Sequence, residues 1–373
     1  MTVLVTGGAG LIGSHIVDLL LEQGERVRIL DSLEPQTHPG GRPSWIPADA
    51  EFVEGDVRDP DVLARVLRDV EDVYHQAAFG GFTTEISTYY DANATGTARI
   101  FEVIAERRLD VRKIVAASSQ AIYGEGIYDC PAHGSVQPGM RRVDRLAARV
   151  WNPGCPECGE DVTPTLTPEQ ARWNGETPYA VSKLAEERTV IGLGKRLGIP
   201  TVALRYAVTF GPRQSVFNPY TGVVSIFSTL LLNGMAPVVF EDGLQTRDFI
   251  FVEDIARANL LVMREERADG CVFNVGRGEP VTVLQLIGSL CTAYGLEAAY
   301  ALSGEFRPGD VRHLVHDAAA IRALGWLPTV SLDEGLSRAA GWIREQGELA
   351  EYFSDALELS RARGVVLEAR PVD

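Results

Sequence analysis

The first half of the chain alternates short apolar runs with longer segments whose apolar residues recur at helical spacing. Short runs of this kind are typical of buried strands, and the amphipathic segments between them are typical of helices. Repeated strand–helix units predict an α/β fold with a parallel, doubly wound sheet of the Rossmann type. The predicted strands are 3–5, 27–30, 51–54, 72–75, 113–117 and 201–206, and the predicted helices are 14–20, 61–69, 89–107 and 179–197.

The alternation stops at Gly124 and resumes near Thr177, and the interval between them holds several prolines and little periodicity. This interval is therefore predicted to be an inserted, loop-rich module. Beyond Gly211 the pattern is mixed, with a short strand near 237–240 and helices near 222–233, 253–266, 282–294 and 331–346. We expect a cofactor-binding domain over 1–124 and 177–211, with an inserted module over 125–176. A smaller, partly interleaved substrate-binding lobe over 212–346 and a C-terminal tail over 347–373 should follow.

The first predicted strand runs directly into a glycine cluster, with Gly7, Gly10 and Gly13 at three-residue intervals before the first helix. Glycine lets the backbone approach a phosphate closely, and the free N–H groups of a helix start can bind a pyrophosphate. Asp31 ends the next strand, where a carboxylate binds an adenosine ribose and repels a 2′-phosphate. A simple tight turn and a capping aspartate are the plain alternatives. The combination predicts a dinucleotide site that prefers NAD over NADP.

A phenol and an ammonium, those of Tyr179 and Lys183, are four residues apart and share one face of a predicted helix. An ammonium near a phenol favours the phenolate, which makes tyrosine a usable base near neutral pH. Ser119 follows the strand 113–117, at the edge where doubly wound sheets bind ligands, so it can share a substrate hydroxyl with Tyr179. The alternatives are an exposed aromatic–lysine pair and a capping serine. With the glycine turn, these residues predict an oxidoreductive active site.

These motifs resemble those of the extended short-chain dehydrogenase/reductases of the nucleotide-sugar epimerase/dehydratase family. The resemblance covers about residues 1–345 apart from the insertion. The matching stretches are 6–13, 118–124, 179–183, 204–206, 211–214, 247–249 and 307–310.

The resemblance implies which residues bind NAD and a nucleotide-sugar substrate. Asp56 and Val57 would lie beside the adenine, Asn93 would support the ribose side, and Tyr206 would line the nicotinamide end. The full cofactor set would be Gly7, Gly10, Leu11, Ile12, Gly13, Asp31, Ser32, Asp56, Val57, Ala77, Ala78, Asn93, Tyr179, Lys183 and Tyr206. The catalytic residues would be Ser119, Tyr179 and Lys183. The substrate would contact Ser119, Gln120, Asn218, Arg247, Arg307 and Asp310.

Three of these residues have more specific implied roles. Arg247 and Arg307 would bind the substrate diphosphate, for which a planar guanidinium is suited, and Asp310 would hold the nucleotide ribose. Members of the family often form homodimers, which here would use the helices 89–107 and 179–197. By that resemblance we expect a homodimer.

The family shares a first step in which the tyrosine takes a proton from a sugar hydroxyl while hydride passes to NAD, giving a keto sugar. In the 4,6-dehydratases an Asp-Glu pair follows the catalytic serine or threonine. Gln120 and Ala121 stand there instead, and neither can act as an acid or base, which disfavours dehydration. The stretches 218–222 and 241–243 and the cysteine-bearing insertion resemble those of dTDP-L-rhamnose 4-epimerase-like proteins within the family. This resemblance implies 4-epimerisation of a dTDP- or UDP-linked hexose. Val208 departs from the usual asparagine, which helps to hold the substrate.

Three other functions stay open from the sequence. One is a nucleotide-sugar dehydrogenase or reductase, and another is an epimerase of a GDP-linked sugar. The third is a non-catalytic NAD-sensing protein of the same fold. The presence of Ser119, Tyr179 and Lys183 argues against this third function, because such proteins typically lose the Tyr–Lys pair.

The insertion contains three of the five cysteines of the chain. Cys130 and His133, followed by Cys155 and Cys158, have the spacing of a two-knuckle structural zinc site resembling a zinc ribbon. The alternative is two unrelated loops with free thiols. A loop of this length needs a cross-link to stay ordered, which favours structural zinc.

Charge and hydropathy narrow the range of partners and locations. The net charge of −16 argues against a general affinity for nucleic acid or an anionic membrane. No apolar run approaches the length that spans a bilayer, and the first strand begins at once, leaving no room for a signal peptide. We therefore expect a cytoplasmic protein.

Overall fold

The computed structural model describes residues 2–80, 85–216, 222–347, 349–350 and 352–369. Its first half alternates strands and helices as the sequence predicts, but the predicted helix 89–107 is a helical turn, a π-helical segment and an α-helix in succession. The elements are β1 (Thr2–Thr6), α1 (Leu11–Glu22), β2 (Arg26–Asp31), β3 (Glu51–Glu54), α2 (Pro60–Val66), β4 (Val70–His75), α3 (Ser87–Tyr89), the π-helical segment Tyr90–Thr95, α4 (Gly96–Arg107), β5 (Lys113–Ser119) and a 3₁₀ turn over Gln120–Tyr123.

The inserted stretch forms a small antiparallel sheet of three strands with one short helix beside it. The strand order in this sheet is β7-β6-β8. The elements are β6 (Tyr128–Cys130), β7 (Gly134–Val136), α5 (Val143–Ala147) and β8 (Thr163–Pro164).

The second half begins with the longest helix of the described residues and then mixes short strands with helices. The elements are α6 (Pro178–Leu197), β9 (Thr201–Tyr206), β10 (Val208–Phe210), α7 (Val223–Leu232), β11 (Val238–Val239), β12 (Thr246–Phe251), α8 (Val252–Arg264), a 3₁₀ turn over Glu266–Ala268, β13 (Val272–Val275), β14 (Pro280–Thr282), α9 (Val283–Tyr294), β15 (Ala301–Leu302), β16 (Glu305–Phe306), β17 (His313–Leu314), α10 (Ala319–Arg322), α11 (Leu332–Glu345), α12 (Phe353–Ala362) and β18 (Leu367–Glu368).

Seven parallel strands form the main sheet in the order β13-β9-β5-β4-β1-β2-β3. Every residue of β1 and β9 is buried, as expected for a parallel sheet that is covered on both faces. Helices α1 and α8 pack on one face, and α2, α4 and α6 on the other. The edge strand β13 belongs to this sheet although it lies in the range predicted for the smaller lobe.

The order of the strands reverses between β1 and β4, because β2 lies on one side of β1 and β4 on the other. In open α/β sheets the crevice beyond the carboxyl ends of the strands at such a point binds ligands. Thr6, Asp31, His75 and Ser119 end β1, β2, β4 and β5, so all four lie at this edge. The fold therefore brings the predicted cofactor and catalytic segments to one edge.

A second hydrophobic core lies beyond the sheet, where α7, α9 and α11 pack around β10 and β12. Here β12 pairs with β10, β14 and β17. The tail contributes α12 to this core, and β18 pairs with β16. Within the described ranges, no helix combines the length and the apolar character that crossing a membrane requires.

Candidate active site

The glycine turn after β1 is shaped by close approaches between backbone segments. Gly7 has φ +67°, and a Cβ there would lie 2.7 Å from the backbone nitrogen of Ala77. A Cβ on Gly13 would lie 2.2 Å from the carbonyl oxygen of Gly7, whereas one on Gly10 would meet that oxygen at an ordinary 3.4 Å. No side chain caps the start of α1, which begins after Gly10. The packing of the protein thus excludes side chains at Gly7 and Gly13.

A cleft of about 370 Å³ opens above this turn, at the switch point of the sheet. It is lined by most of the residues predicted to bind the cofactor. They are Gly7, Gly10, Leu11, Ile12, Gly13, Asp31, Ser32, Asp56, Val57, Ala77, Ala78 and Tyr179. The structure therefore brings twelve of the fifteen predicted cofactor residues to one cavity.

The carboxylate of Asp31 is buried at the end of β2 and is fixed by two backbone donors. It accepts hydrogen bonds from the N–H of Ala9 at 2.9 Å and of Leu33 at 2.9 Å. Each carboxylate oxygen has two acceptor sites, so one remains on each for a further donor. Asp31 thus links the glycine turn to the loop after β2 while lining the cleft.

The segment between β2 and β3 covers one side of the cleft, which the sequence did not predict. His38 lines the cavity, and burial lowers the pKa of its imidazole. The indole N–H of Trp45 donates to the carbonyl oxygen of Ala9 at 3.0 Å, and the ring of Trp45 meets that of Trp342 edge-on at 6.1 Å. This segment therefore connects the glycine turn to α11.

Two predicted cofactor residues do not line the cleft but form hydrogen bonds with residues that do. The side chain of Asn93, in the π-helical segment, bonds both the N–H and the carbonyl oxygen of Phe79, at 2.7 Å and 3.1 Å. The hydroxyl of Tyr206 bonds Gln76 at 2.9 Å and Asn259 at 3.0 Å. Phe79 and Gln76 line the cleft. Asn93 and Tyr206 thus hold the wall of the cleft through other residues.

The phenol predicted as the base, that of Tyr179, lies in the first turn of α6. Pro178 opens this helix, and the hydroxyl of Thr177 accepts a hydrogen bond from the N–H of Ala180 at 3.1 Å. Both features are favourable at a helix start, so they fix the helix origin one residue before Tyr179. The ring of Tyr179 lines the cleft. Ser119 ends β5 outside the residues that line the cleft, and its Oγ accepts from the N–H of Ala121 at 3.1 Å.

The ammonium of Lys183 is 1% exposed and pairs with a carboxylate that the sequence did not single out. Its Nζ donates to Oε2 of Glu186 at 2.5 Å. Glu186 is three residues further along α6, a spacing that places two side chains on the same side of a helix, so a signal for this pair was present. Lys183 is the third predicted cofactor residue that lies outside the lining of the cleft.

Two arginines predicted to bind a diphosphate lack a carboxylate partner within the described ranges. The guanidinium of Arg247 donates to the carbonyl oxygens of Thr246, Val311 and Arg312, and burial lowers its pKa. The guanidinium of Arg307 lies 4.9 Å from the ring centroid of Phe240. Neither guanidinium is therefore neutralised by a carboxylate in the part of the chain that the structure describes, and neither lines the cleft.

The other residues predicted to contact or affect the substrate lie in different environments. The backbone carbonyl of Asp310 accepts from Arg141, and its side chain is exposed. The side-chain oxygen of Gln120 is buried without a partner in the part of the chain that the structure describes. Val208 lies in β10 and packs at the edge of the second core. Asn218 lies outside the described residues.

The four predicted zinc ligands of the insertion converge. Their ligand atoms all lie within 4.8 Å of one another. The Sγ of Cys130 is 3.8 Å from that of Cys158 and 3.6 Å from Nδ1 of His133, which is also 3.6 Å from the Sγ of Cys155. A tetrahedron with metal–sulfur bonds of about 2.3 Å has edges of about 3.8 Å, so the donor set fits a zinc ion.

A buried ion network joins the insertion to the segments around β12 and β17. Arg141 makes two hydrogen bonds to the carboxylate of Glu241, at 2.9 Å and 2.7 Å, and Arg312 shares that carboxylate at 3.0 Å. Glu125 accepts from the backbone N–H of Arg312 at 2.6 Å. The same Arg141 contacts the carbonyl oxygen of Asp310. The insertion is therefore fixed directly beside a predicted substrate residue.

The fold and the site define a doubly wound α/β protein with a ligand cleft at the switch point of its sheet and a tyrosine in that cleft. The chain belongs to the NAD dependent epimerase/dehydratase family, whose model matches residues 3–139 and 140–276. It is 33% identical over 355 residues to a dTDP-L-rhamnose 4-epimerase of Burkholderia thailandensis, with 92% of this chain and 95% of that protein covered.

Two solved structures are similar over nearly the whole chain. One is the UDP-glucose 4-epimerase of Thermotoga maritima with UDP-glucose, at 31% identity and a TM-score of 0.74, covering 93% of this chain and 99% of that one. The other is the UDP-glucose 4-epimerase of Thermus thermophilus in complex with NAD, at 30% identity and a TM-score of 0.73. The latter match covers 94% of this chain and 100% of that one.

Proposed function

We propose that this protein is an NAD-dependent nucleotide-sugar 4-epimerase that interconverts the C4 epimers of a hexose through a transient 4-keto sugar. The observation that carries the proposal is that Tyr179 lines the same cleft as the glycine turn and Asp31. A base and a cofactor can therefore meet at one substrate carbon. The relatives named above are 4-epimerases and support the same reaction.

The acid–base chemistry is assigned to the two polar side chains at the edge of the sheet. Tyr179 takes the proton of the C4 hydroxyl and later returns it, and Ser119 hydrogen-bonds the same oxygen. NAD, when bound, supplies the hydride acceptor and donor at C4. Because the hydride returns to the opposite face of the sugar, the reaction needs no second redox substrate. Lys183 favours the ionised phenol through its positive charge.

Cofactor binding is assigned to the cleft above the glycine turn. The uncapped N–H groups at the start of α1 suit a pyrophosphate, and the remaining acceptor sites of Asp31 suit the hydroxyls of an adenosine ribose. Asp31 would repel a 2′-phosphate, so we assign NAD rather than NADP. A fluorescence titration that finds tighter binding of NADP than of NAD would contradict this assignment.

Substrate binding is assigned to polar and charged residues that lie outside the lining of the cofactor cleft. Arg247 and Arg307 have positive charges without carboxylate partners in the described ranges, which suits a diphosphate. The buried Oε1 of Gln120 has no hydrogen-bond partner among the described residues, which suits a sugar hydroxyl because an unpaired buried acceptor costs free energy. We assign the nucleotide ribose to Asp310, which follows Arg307 in the same turn.

Repeated turnover without added cofactor tests the proposal. The purified protein is incubated separately with UDP-glucose, UDP-N-acetylglucosamine, dTDP-L-rhamnose and GDP-mannose, and ¹H NMR follows the C4 epimers. We expect one of these sugars to convert to its epimer with many turnovers per protein molecule. Formation of a stable keto product with stoichiometric NADH would contradict epimerisation and support a dehydrogenase.

We also propose that the insertion binds a structural zinc ion through Cys130, His133, Cys155 and Cys158. Three separations between the donor atoms are 3.6–3.8 Å, close to the edges of a tetrahedral site, and all four atoms lie within 4.8 Å of one another. A closed four-ligand site leaves no position for a substrate. Zinc there would fix the two loops that carry the ligands. Through Arg141, these loops are attached to the segment that contains Asp310.

A homodimer is proposed through α4 and α6, which pack side by side on one face of the sheet. Val181 and Leu197 on α6 are 38% and 40% exposed, so apolar surface is available there. Light scattering coupled to gel filtration tests this proposal. A monomer at micromolar concentration would contradict it.

A further inference from the structure

The ion pair between Lys183 and Glu186 on α6 is almost completely buried. Lys183 is 1% exposed and Glu186 is 0% exposed. One carboxylate oxygen of Glu186, Oε2, accepts from the ammonium at 2.5 Å, and the other, Oε1, has no hydrogen-bond partner in the described ranges. Burying two charges costs much of what their attraction gains, so such a pair adds little to stability by itself. Its place next to the proposed base suggests a role in the reaction.

The neighbouring carboxylate of Glu187 cannot replace Glu186 as the partner of Lys183. Both of its oxygens are used by the guanidinium of Arg205, at 2.7 Å and 2.9 Å. The hydroxyl of Ser118 donates to it as well, at 2.7 Å. Glu187 is therefore paired with Arg205 and contacts β5 through Ser118.

The imidazole of His75, on the other side of Glu186, is also committed elsewhere. Its Nε2 is 4.0 Å from the nearer oxygen of Glu186, but its two nitrogens bond the hydroxyls of Thr6 and Thr97 at 2.7 Å and 2.8 Å. Burial and the charge of Lys183 lower its pKa to about 3, so the ring is neutral. In the described ranges Glu186 is thus the carboxyl group that pairs with Lys183.

We propose that Glu186 is a positioning residue that fixes the ammonium of Lys183 and keeps it charged in a buried environment. A buried ammonium without a counter-ion loses its proton readily, because burial penalises the charged form. The carboxylate reverses that penalty, and the retained positive charge then favours the phenolate of Tyr179. The inference rests on the proposed role of Lys183 in 4-epimerisation, and Glu186 acts only through that lysine.

The electrostatic surroundings of Glu186 come from three elements. Burial raises the pKa of its carboxyl to about 7 although the charge of Lys183 opposes that rise, so the carboxylate is fully ionised only above neutral pH. The titratable groups that face it are Lys183 and Glu187 on α6, His75 at the end of β4 and Tyr206 at the end of β9. Of these groups, only Lys183 offers a positive charge at neutral pH.

The protonation of Lys183 can be measured directly, because the chain has only three lysines, Lys113, Lys183 and Lys195. Protein labelled with [ε-¹³C]lysine gives one signal for each, and the chemical shift of each signal reports the charge of its ammonium. The titration is recorded for the parent and for Glu186→Gln, which removes the charge but keeps the shape. The signals of Lys113 and Lys195 serve as internal controls.

We expect Lys183 in Glu186→Gln to lose its proton about one to three pH units lower than in the parent. Glu186→Asp keeps the charge on a shorter side chain and should give an intermediate shift. If the glutamine variant does not fold, the titration of Lys183 can still be measured in this aspartate variant. A Lys183 signal that titrates at the same pH in the parent and in a folded variant would overturn the inference.

The pH profile of kcat separates an electrostatic role from a merely structural one. We expect the alkaline limb of the profile to move to lower pH in Glu186→Gln by the same amount as the Lys183 titration. A uniform loss of kcat at all pH values, with Lys183 unchanged, would also overturn the inference. The NMR titration needs no substrate, so its result stands even if the protein proves not to be a 4-epimerase.

Discussion

The cofactor cleft and the inserted Cys/His module are built from different kinds of interaction. Most of the cleft is lined by segments that directly follow β1, β2, β3 and β4, so most of the predicted residues lie within a few positions of a strand end, whereas Tyr179 comes from the start of α6. The module is attached by side chains across long separations. Arg141 and Glu241 are 100 residues apart, and Glu125 and Arg312 are 187 residues apart. A site made by backbone loops at strand ends can be predicted from a sequence, whereas the attachment of a module through distant ion pairs cannot.

The largest expected effect concerns the phenol in the cleft. We predict that Tyr179→Phe lowers the rate of 4-epimerisation by about 10²- to 10⁴-fold, because the positioned acid and base is lost. The ring is retained, so bound NAD should remain. Tyr90→Phe, a neighbouring phenol outside the lining of the cleft, is the control and should keep the parent rate. Equal activity of Tyr179→Phe and the parent would remove tyrosine from the mechanism and revive a non-catalytic, NAD-sensing function.

Two substitutions in the glycine turn should have different effects, one on folding and the other on cofactor binding. A Cβ at residue 13 would clash with the carbonyl oxygen of Gly7 at 2.2 Å, so Gly13→Ala should disrupt the turn and lower the melting temperature. A Cβ at residue 10 meets that oxygen at 3.4 Å and faces the cleft, so Gly10→Ala should stay folded while binding NAD more weakly. Calorimetry and NAD titration measure the two effects. Equal stability of both variants would contradict the packing described for this turn.

Substitutions in the buried ion network that holds the module should lower the free energy of unfolding. Arg141→Met leaves part of the charge of Glu241 unpaired in a buried site, so we predict a loss of about 3 kcal/mol in the free energy of unfolding. Arg142 is the adjacent residue and pairs with Asp144 on the surface. Arg142→Met is therefore a matched control that should leave the free energy unchanged. Urea unfolding that cannot distinguish the two variants would show that the network does not stabilise the module.

The smallest expected effect is that of the metal site, because a structural ion in a peripheral module stabilises mainly its own loops. We predict that Cys158→Ser lowers the zinc content of the purified protein and its melting temperature. Cys271→Ser, which changes a cysteine outside the cluster, should alter neither. Zinc is measured by mass spectrometry, and a strong chelator should reproduce the effect in the parent. Full zinc content in Cys158→Ser would contradict the assigned ligand set.

The contrast between the two regions also sets the limit of what the sequence could predict. The strand–helix alternation, the glycine turn, Asp31 and Tyr179 are local patterns, and the structure places the last two in one cleft. The four Cys/His ligands were predicted from spacing and do converge. Whether they bind zinc stays a prediction.

The residues that the sequence did not reveal act through long-range contacts. Trp45 bonds Ala9 from 36 residues away, and nothing in the segment between β2 and β3 marks it as a cover for the cleft. Arg141 and the exposed Arg142 are consecutive arginines, and only the fold shows which of them is buried. Glu186 is an exception, since its helical spacing from Lys183 was a usable signal.

The central claim is that the hydride removed from C4 returns to the same carbon within one protein molecule. It is tested most directly with the sugar that turns over in the panel above, labelled with deuterium at C4 and supplied with unlabelled NAD in solution. We predict that the C4 epimer forms with the deuterium still at C4 and none in the free NAD. Loss of the label to solvent, or its appearance in free NADH, would contradict this mechanism.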